Sequence, residues 1–127
     1  MGKVIETITV TNLYDPTRSK ELEAVIDTGA TMLVLPAEVI EELGLRKFRE
    51  VEVRYANNLR QRKALYGVVS LDLHGRSGHF DVLEEERGSP ALIGQTVLEQ
   101  LDLVVDPKAR RLIPNPESPD VPLMEIL

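Results

Sequence analysis

The sequence predicts an all-β fold with one or two short helices. Three observations predict it: short runs rich in β-branched residues recur along the chain, apolar and polar residues alternate within several of them, and clusters of turn-forming residues separate them.

Residues 4–11 suit a strand, with Val4, Ile8 and Val10 on one parity and Glu6 among them. Residues 12–19 contain Asp15-Pro16 and read as a turn or loop. In residues 21–26, Leu22, Ala24 and Ile26 alternate with Glu21, Glu23 and Val25, giving a strand with one buried face. That strand runs straight into Asp27-Thr28-Gly29-Ala30-Thr31, and a second apolar run, Met32-Leu33-Val34-Leu35, follows. Residues 36–45 form the clearest helix. Pro36 suits its first position, Val39, Ile40 and Leu43 share a face, and Gly44 supplies the stop.

Residues 51–56 and 63–73 read as strands of a hairpin joined across Asn57-Asn58-Leu59-Arg60. Asparagine tolerates the left-handed conformation that such a tip needs. Residues 74–79, His-Gly-Arg-Ser-Gly-His, read as a further turn before a strand around residues 80–83. Ala91-Leu92-Ile93-Gly94 is a short buried strand, followed by a helix through Val97, Leu98 and Leu101. Residues 103–106 and 110–113 make a last pair around Pro107-Lys108. Prolines at 114, 116, 119 and 122 predict an extended or loose tail as far as Leu123-Met124-Glu125-Ile126-Leu127. There is no internal repeat, low-complexity tract or interdomain linker.

A length of 127 residues fits one domain, and 43% hydrophobic residues suffice for a core. No stretch approaches the roughly 20 apolar residues that span a bilayer, so no membrane partner is expected. The N-terminus, Met1-Gly2-Lys3-Val4-Ile5-Glu6, lacks the apolar centre of a signal peptide. The absence of cysteine excludes disulfides, zinc–thiolate sites and thiol nucleophiles, and a cytoplasmic location is the expectation. A net charge of −6 argues against a general nucleic-acid binder. Between Arg46 and Lys63, however, seven bases face only Glu50 and Glu52. This segment reads first as a solvated face; an attraction for acidic ligands or phosphate is the functional alternative.

A carboxylate set directly after an apolar strand and before Thr-Gly is an unusual structural choice. At the end of a strand Asp27 is partly buried and needs partners. Gly29 allows close backbone approach, so amides can point at the carboxylate, and Thr28 offers a hydroxyl to a neighbouring loop. A plain turn-former is the bland alternative. The wider context argues for chemistry: apolar strands flank Asp27-Thr28-Gly29-Ala30-Thr31, a proline-started helix follows, and Leu92-Ile93-Gly94 with its own helix comes later, before Val105-Asp106-Pro107.

In these motifs and their order, residues 4–114 resemble the retropepsin-like aspartic proteases, particularly their non-viral, single-domain members. The resemblance implies a closed, mostly antiparallel barrel of the acid-protease type over residues 1–114. It also implies a ψ-shaped loop joining Asp27-Thr28-Gly29 to Leu92-Ile93-Gly94, and a flap hairpin over residues 53–67. The tail, residues 115–127, is an open candidate for a strand in a dimer. Asp27, Thr28 and Gly29 would be the catalytic loop, with Thr28 bonding across a dimer axis. Substrate contacts would come from Ala30 and Thr31, from the flap residues Tyr55, Ala56, Asn57 and Asn58, and from Leu92, Ile93 and Gly94.

Peptide hydrolysis of this type needs one carboxylate to take a proton from water and a second, protonated, to polarise the scissile carbonyl. Two like charges about 3 Å apart cannot both ionise, so the pair shares a proton; aspartic proteases are the standard illustration of this rule. The chain holds a single Asp-Thr-Gly and no Asp-Ser-Gly, so its expected partner is a second copy of itself. The expected substrate is an extended peptide or unfolded protein, with no metal and no cofactor. The alternative is a non-catalytic, dimeric peptide-binding module on the same fold, and a structural monomer is the third reading.

The sequence departs from the viral pattern at three places. Where viral members carry an Asp after the motif and an Arg after Ile-Gly, this chain has Thr31 and Gln95. The flap tip lacks the usual glycines, and the tail is longer. His74 and His79, with Asp72 and Asp81, read as an exposed hairpin rather than metal ligands. Tyr55 and Tyr66 read as cross-strand packing partners, with substrate contact as the second reading. Glu84-Glu85-Glu86 reads as a solvated loop. No serine or histidine falls in a nucleophile motif, and no phosphate-binding glycine loop is present.

Overall fold

A computed structural model describes residues 3–126; Met1, Gly2 and Leu127, at the two expected termini, lie outside the described residues. Among the described residues, nine strands and two helices follow in the order β1 (Ile5–Asn12), β2 (Ser19–Ile26), β3 (Leu33–Pro36), α1 (Ala37–Leu43), β4 (Arg46–Arg54), β5 (Arg60–Leu73), β6 (Arg76–Glu85), β7 (Ala91–Ile93), α2 (Gln95–Leu101), β8 (Leu103–Asp106) and β9 (Arg111–Pro114). The fold is the expected closed β-barrel. Strands β1, β2, β7, β3, β6 and β5 hydrogen-bond in that order, and β5 returns to β1 to close a ring of six. Most neighbours are antiparallel, but β2 pairs β7 and β3 pairs β6 in parallel.

Period-2 alternation sets the interior. Ile8 and Val10 of β1, Ala24 of β2, Leu71 and Leu73 of β5, Phe80 and Val82 of β6 and Ile93 of β7 meet in one core. Val39, Ile40 and Leu43 of α1 and Val97, Leu98 and Leu101 of α2 cap that core. Burying a leucine or isoleucine this fully contributes about 1.5–3 kcal/mol. Alternation also leaves Val34, Leu65 and Leu83 on the opposite side of the wall. They form a second, smaller cluster there with Met32, Val51, Val53 and Leu92.

Strand β5 has 14 residues and serves two neighbours along one edge. Its Val69–Leu73 end pairs β1, while its Arg60–Gly67 end pairs β4 outside the ring. The register against β6 shifts between Tyr66 and Val69, where β5 leaves the barrel. The β4–β5 tip turns as expected: Asn58 has φ 68°, its amide donates to the Tyr55 carbonyl at 2.8 Å, and Tyr55 N donates to Leu59 O at 2.9 Å.

Several element bounds differ from expectation. Pro36 precedes α1 as its N-cap rather than opening it, and Gly44 ends the helix in the left-handed conformation at φ 63°. Strand β4 begins at Arg46, because its charged residues are paired with β5 in a two-stranded arm with little core to bury. The turn expected over residues 74–79 is only His74-Gly75, both at positive φ, and β6 starts at once.

The tail is fixed rather than loose up to Leu123. The Asp102 carboxylate accepts from Asn115 Nδ2 at 3.0 Å, from the Ser118 hydroxyl, and from the Leu123 amide at 2.9 Å. Buried Arg76 donates to the carbonyls of Leu101, Asp102 and Ser118. Beyond that clamp, Met124 and Ile126 are exposed, and the described residues 124–126 form no strand.

Candidate active site

Three segments build the site. β2 delivers Asp27 at its end, and the Asp27 amide donates to Ile93 O at 3.0 Å, continuing the parallel β2–β7 ladder by one bond. The chain then turns, with Ala30 N donating to Asp27 O at 3.0 Å. After the turn it runs beside the start of α2: Gln95 N donates to Ala30 O at 2.9 Å and Thr96 N to Thr31 O at 2.9 Å. The Thr96 hydroxyl adds a second bond to Thr31 O at 2.7 Å. The Asp27 loop thus straddles residues 93–96, which is the expected ψ-shaped arrangement.

Glycine shapes the loop at two places, for different reasons. Gly29 N donates to Asp27 Oδ1 at 2.9 Å, and a β-carbon there would stand 3.2 Å from that same oxygen. The amide is therefore aimed at the carboxylate, and a side chain would crowd it. Gly94 abuts the backbone of Thr31 and Met32 so closely that any side chain would overlap it. Asp27 is half-buried, while Thr28, Gly29 and Thr31 are exposed on one surface.

The outer cluster continues from this loop. Met32 and Val34 follow the motif, Leu92 lies across from Val34 in the β3–β7 pair, and Val51 and Val53 approach from the β4–β5 hairpin. Together they form an apolar face beside Asp27. Of the residues expected to contact substrate, Leu92 is on this face. Ile93 is not: parity turns it into the main core, where it is fully buried, and Gly94 faces only backbone. Met32, Val51 and Val53 also belong to this face, though the sequence reading did not place them there. Their signal was present, since Val51 and Val53 alternate with Glu50 and Glu52.

Ala56, Asn57 and Asn58 stand exposed at the hairpin tip, where Asn57 Oδ1 accepts from Leu59 N at 3.0 Å. Tyr55 is not a packing partner of Tyr66. Its hydroxyl donates to Glu85 Oε2 at 2.8 Å, and Glu85 Oε1 meets Lys63 Nζ at 2.7 Å. Burial works against the Glu85 charge, but the Lys63 and Tyr55 hydrogen bonds outweigh it and hold its pKa below the usual glutamate value. The hydrogen bond to Glu85 raises Lys63, and burial followed by the same contact raises Tyr55.

The run 84–86 is therefore not a solvated loop. Glu84 and Glu85 end β6, and all three glutamates share a cleft of about 340 Å³ with Lys47, Arg62 and Lys63. This cleft includes none of residues 27–31. Much of the hairpin's positive charge is answered there and by the Lys47–Glu50 and Arg60–Glu52 pairs, which favours the solvated-face reading. At the positions of the viral ion pair, Gln95 instead donates to Glu99 at 3.3 Å along α2. His74 lies 3.6 Å from Glu6 rather than near His79.

A family model described as "gag-polyprotein putative aspartyl protease" matches residues 18–100, more than half of the chain and including Asp27 and Leu92-Ile93-Gly94. The chain belongs to the retropepsin-like aspartic protease family. Among solved structures it is similar to EIAV protease complexed with the inhibitor HBY-793. The TM-score is 0.61 and the identity 17%, over 77% of this chain and 86% of that one. At this identity the likeness speaks for the retropepsin-like fold. No curated protein sequence matches the chain.

Proposed function

We propose that two copies of this retropepsin-like chain form an aspartic endopeptidase, with Asp27 of each copy making the catalytic pair. The observation that carries the reading is the Asp27 carboxylate itself. It is half-buried at the ψ-loop, accepts the Gly29 amide, and sits on a surface with exposed Thr28, next to an apolar face. One such loop provides half of the chemistry, and a two-fold axis beside it provides the rest.

In the assembled pair one Asp27 is ionised and the other protonated. The ionised carboxylate takes a proton from water, whose oxygen attacks the scissile carbonyl carbon while the protonated carboxyl donates to the carbonyl oxygen. Collapse of the tetrahedral diol breaks the C–N bond: the proton taken from water passes to the leaving amine, and one diol hydroxyl returns its proton to the other carboxylate, restoring the pair. Extended peptide would lie along the apolar face formed by Met32, Val51, Val53 and Leu92. The β4–β5 hairpin would close over it as a flap and add strand-type hydrogen bonds.

The test is cleavage of an unfolded protein from pH 3 to 7 by wild type and by Asp27→Asn. The expected outcome is cutting by wild type alone, with specific activity rising with protein concentration as dimers form. Equal activity in both would remove Asp27 from the chemistry. No cutting by a folded, dimeric wild type would favour a peptide-binding module instead.

A further inference from the structure

A second cavity, of about 260 Å³, opens beside the Asp27 loop; its walls include Met32, Phe80, His79, Asp81, Thr96 and Gln100. We propose that it is a specificity pocket taking a lysine or arginine side chain of the peptide, with Asp81 as the residue that selects it. The proposal rests on the peptidase reading and adds the substrate class.

Continuity with the apolar face comes first. Met32 belongs both to the outer apolar cluster and to this cavity, so the cavity extends the surface beside the motif. The other wall is fixed to the same loop by the bonds from Thr96 to Thr31 O. On β6, Leu83 faces the outer cluster, and alternation puts Asp81 and His79 on that same outer side. A peptide lying on the cluster therefore has Asp81 at its flank.

The chemistry of the walls then selects the occupant. Met32, with the edge of Phe80 that the core leaves uncovered, supplies an apolar lining for the methylenes of a long side chain, and Asp81 supplies a carboxylate; lysine and arginine have this division. Among the described residues no cation forms an ion pair with Asp81, although fifteen Lys and Arg are present in the chain. An acidic side chain would meet a like charge here, and Gln100 offers a neutral amide that can accept from the cation.

The experiment uses peptides taken from the unfolded substrate, with lysine, norleucine or glutamate moved through the positions flanking the cut. KM and kcat are read separately. At one position lysine should lower KM about fivefold relative to norleucine, the size expected of an exposed ion pair. Asp81→Asn should bring that ratio to about one, and Asp81→Lys should invert it in favour of glutamate. A lysine preference that survives both substitutions, or that occurs at no position, overturns the pocket. The same peptides titrated into Asp27→Asn by fluorescence anisotropy separate the two readings. Lysine-selective binding without wild-type cleavage keeps the pocket and removes the peptidase. Cleavage indifferent to Asp81 does the reverse.

Discussion

Gly94 lies against Met32 so tightly that a β-carbon at residue 94 would stand 2.5 Å from both the Met32 amide nitrogen and its carbonyl oxygen. The backbone at Gly94, φ −87° and ψ 178°, is open to any residue, so space alone demands glycine. Gly94→Ala must push the Asp27 loop away from β7, at a cost of about 1–3 kcal/mol or more. Urea denaturation should show a lower midpoint, and an unchanged midpoint would mean that the loop yields freely.

Thr28 is exposed beside Asp27, on the surface that the proposed two-fold axis must cross. Thr28→Ala should weaken self-association and move activity to higher protein concentration, while leaving the monomer's circular dichroism alone. Sedimentation at several concentrations measures this directly. An identical dimer constant would place Thr28 outside the interface.

The Lys63–Glu85 pair keeps only 13% and 20% of its side chains exposed and also holds the Tyr55 hydroxyl. Glu85→Ala strands a mostly buried cation, which should destabilise the protein by about 1–3 kcal/mol. Replacing both partners by apolar residues, Lys63→Met with Glu85→Leu, should restore most of that loss. Thermal melts of the single and double variants decide it; a double variant as weak as the single would point to strain rather than a stranded charge.

Asp102 is held down to about 2, first by the Ser118 hydroxyl, then by the Asn115 amide and the Leu123 N–H. Its ordinary value is 3.8. A depressed carboxyl stabilises the fold fully above its unfolded value, and that contribution disappears as pH falls through the folded one. Wild type should therefore lose tail-dependent stability between about pH 4 and 2, and Asp102→Asn should flatten that stretch. Urea midpoints at pH 5, 4, 3 and 2.5 test it, and parallel curves would detach Asp102 from acid sensitivity.

Much of this architecture was legible because local chemistry and fold agree. Alternation marked Ile8 and Val10, Gly44 ended α1 where expected, and Asn58 took the left-handed turn. Asp27-Thr28-Gly29 and Leu92-Ile93-Gly94 came together although some 65 residues separate them, and the resemblance rather than any local rule foresaw that. What stayed hidden depends on partners distant in sequence. Arg76 looks like an ordinary turn residue until three carbonyls from α2 and the tail surround it. Glu85 looks solvated until Lys63 and Tyr55 arrive from the hairpin. Ile93, expected at the substrate on the resemblance, turns into the core, and a buried three-residue strand carries too little alternation to show which way each side chain turns.

Strand β5 is barrel wall at one end and hairpin arm at the other, with no loop between them. A door built this way has no hinge pin. Swinging the hairpin aside means flexing the wall near Tyr66 and Val69, where the register with β6 already shifts. In the proposed peptidase, admission to the Asp27 site is thereby geared to the stiffness of the barrel. A substitution at Val69 or Leu71, deep in the core and out of reach of any peptide, would change how fast a substrate gets in.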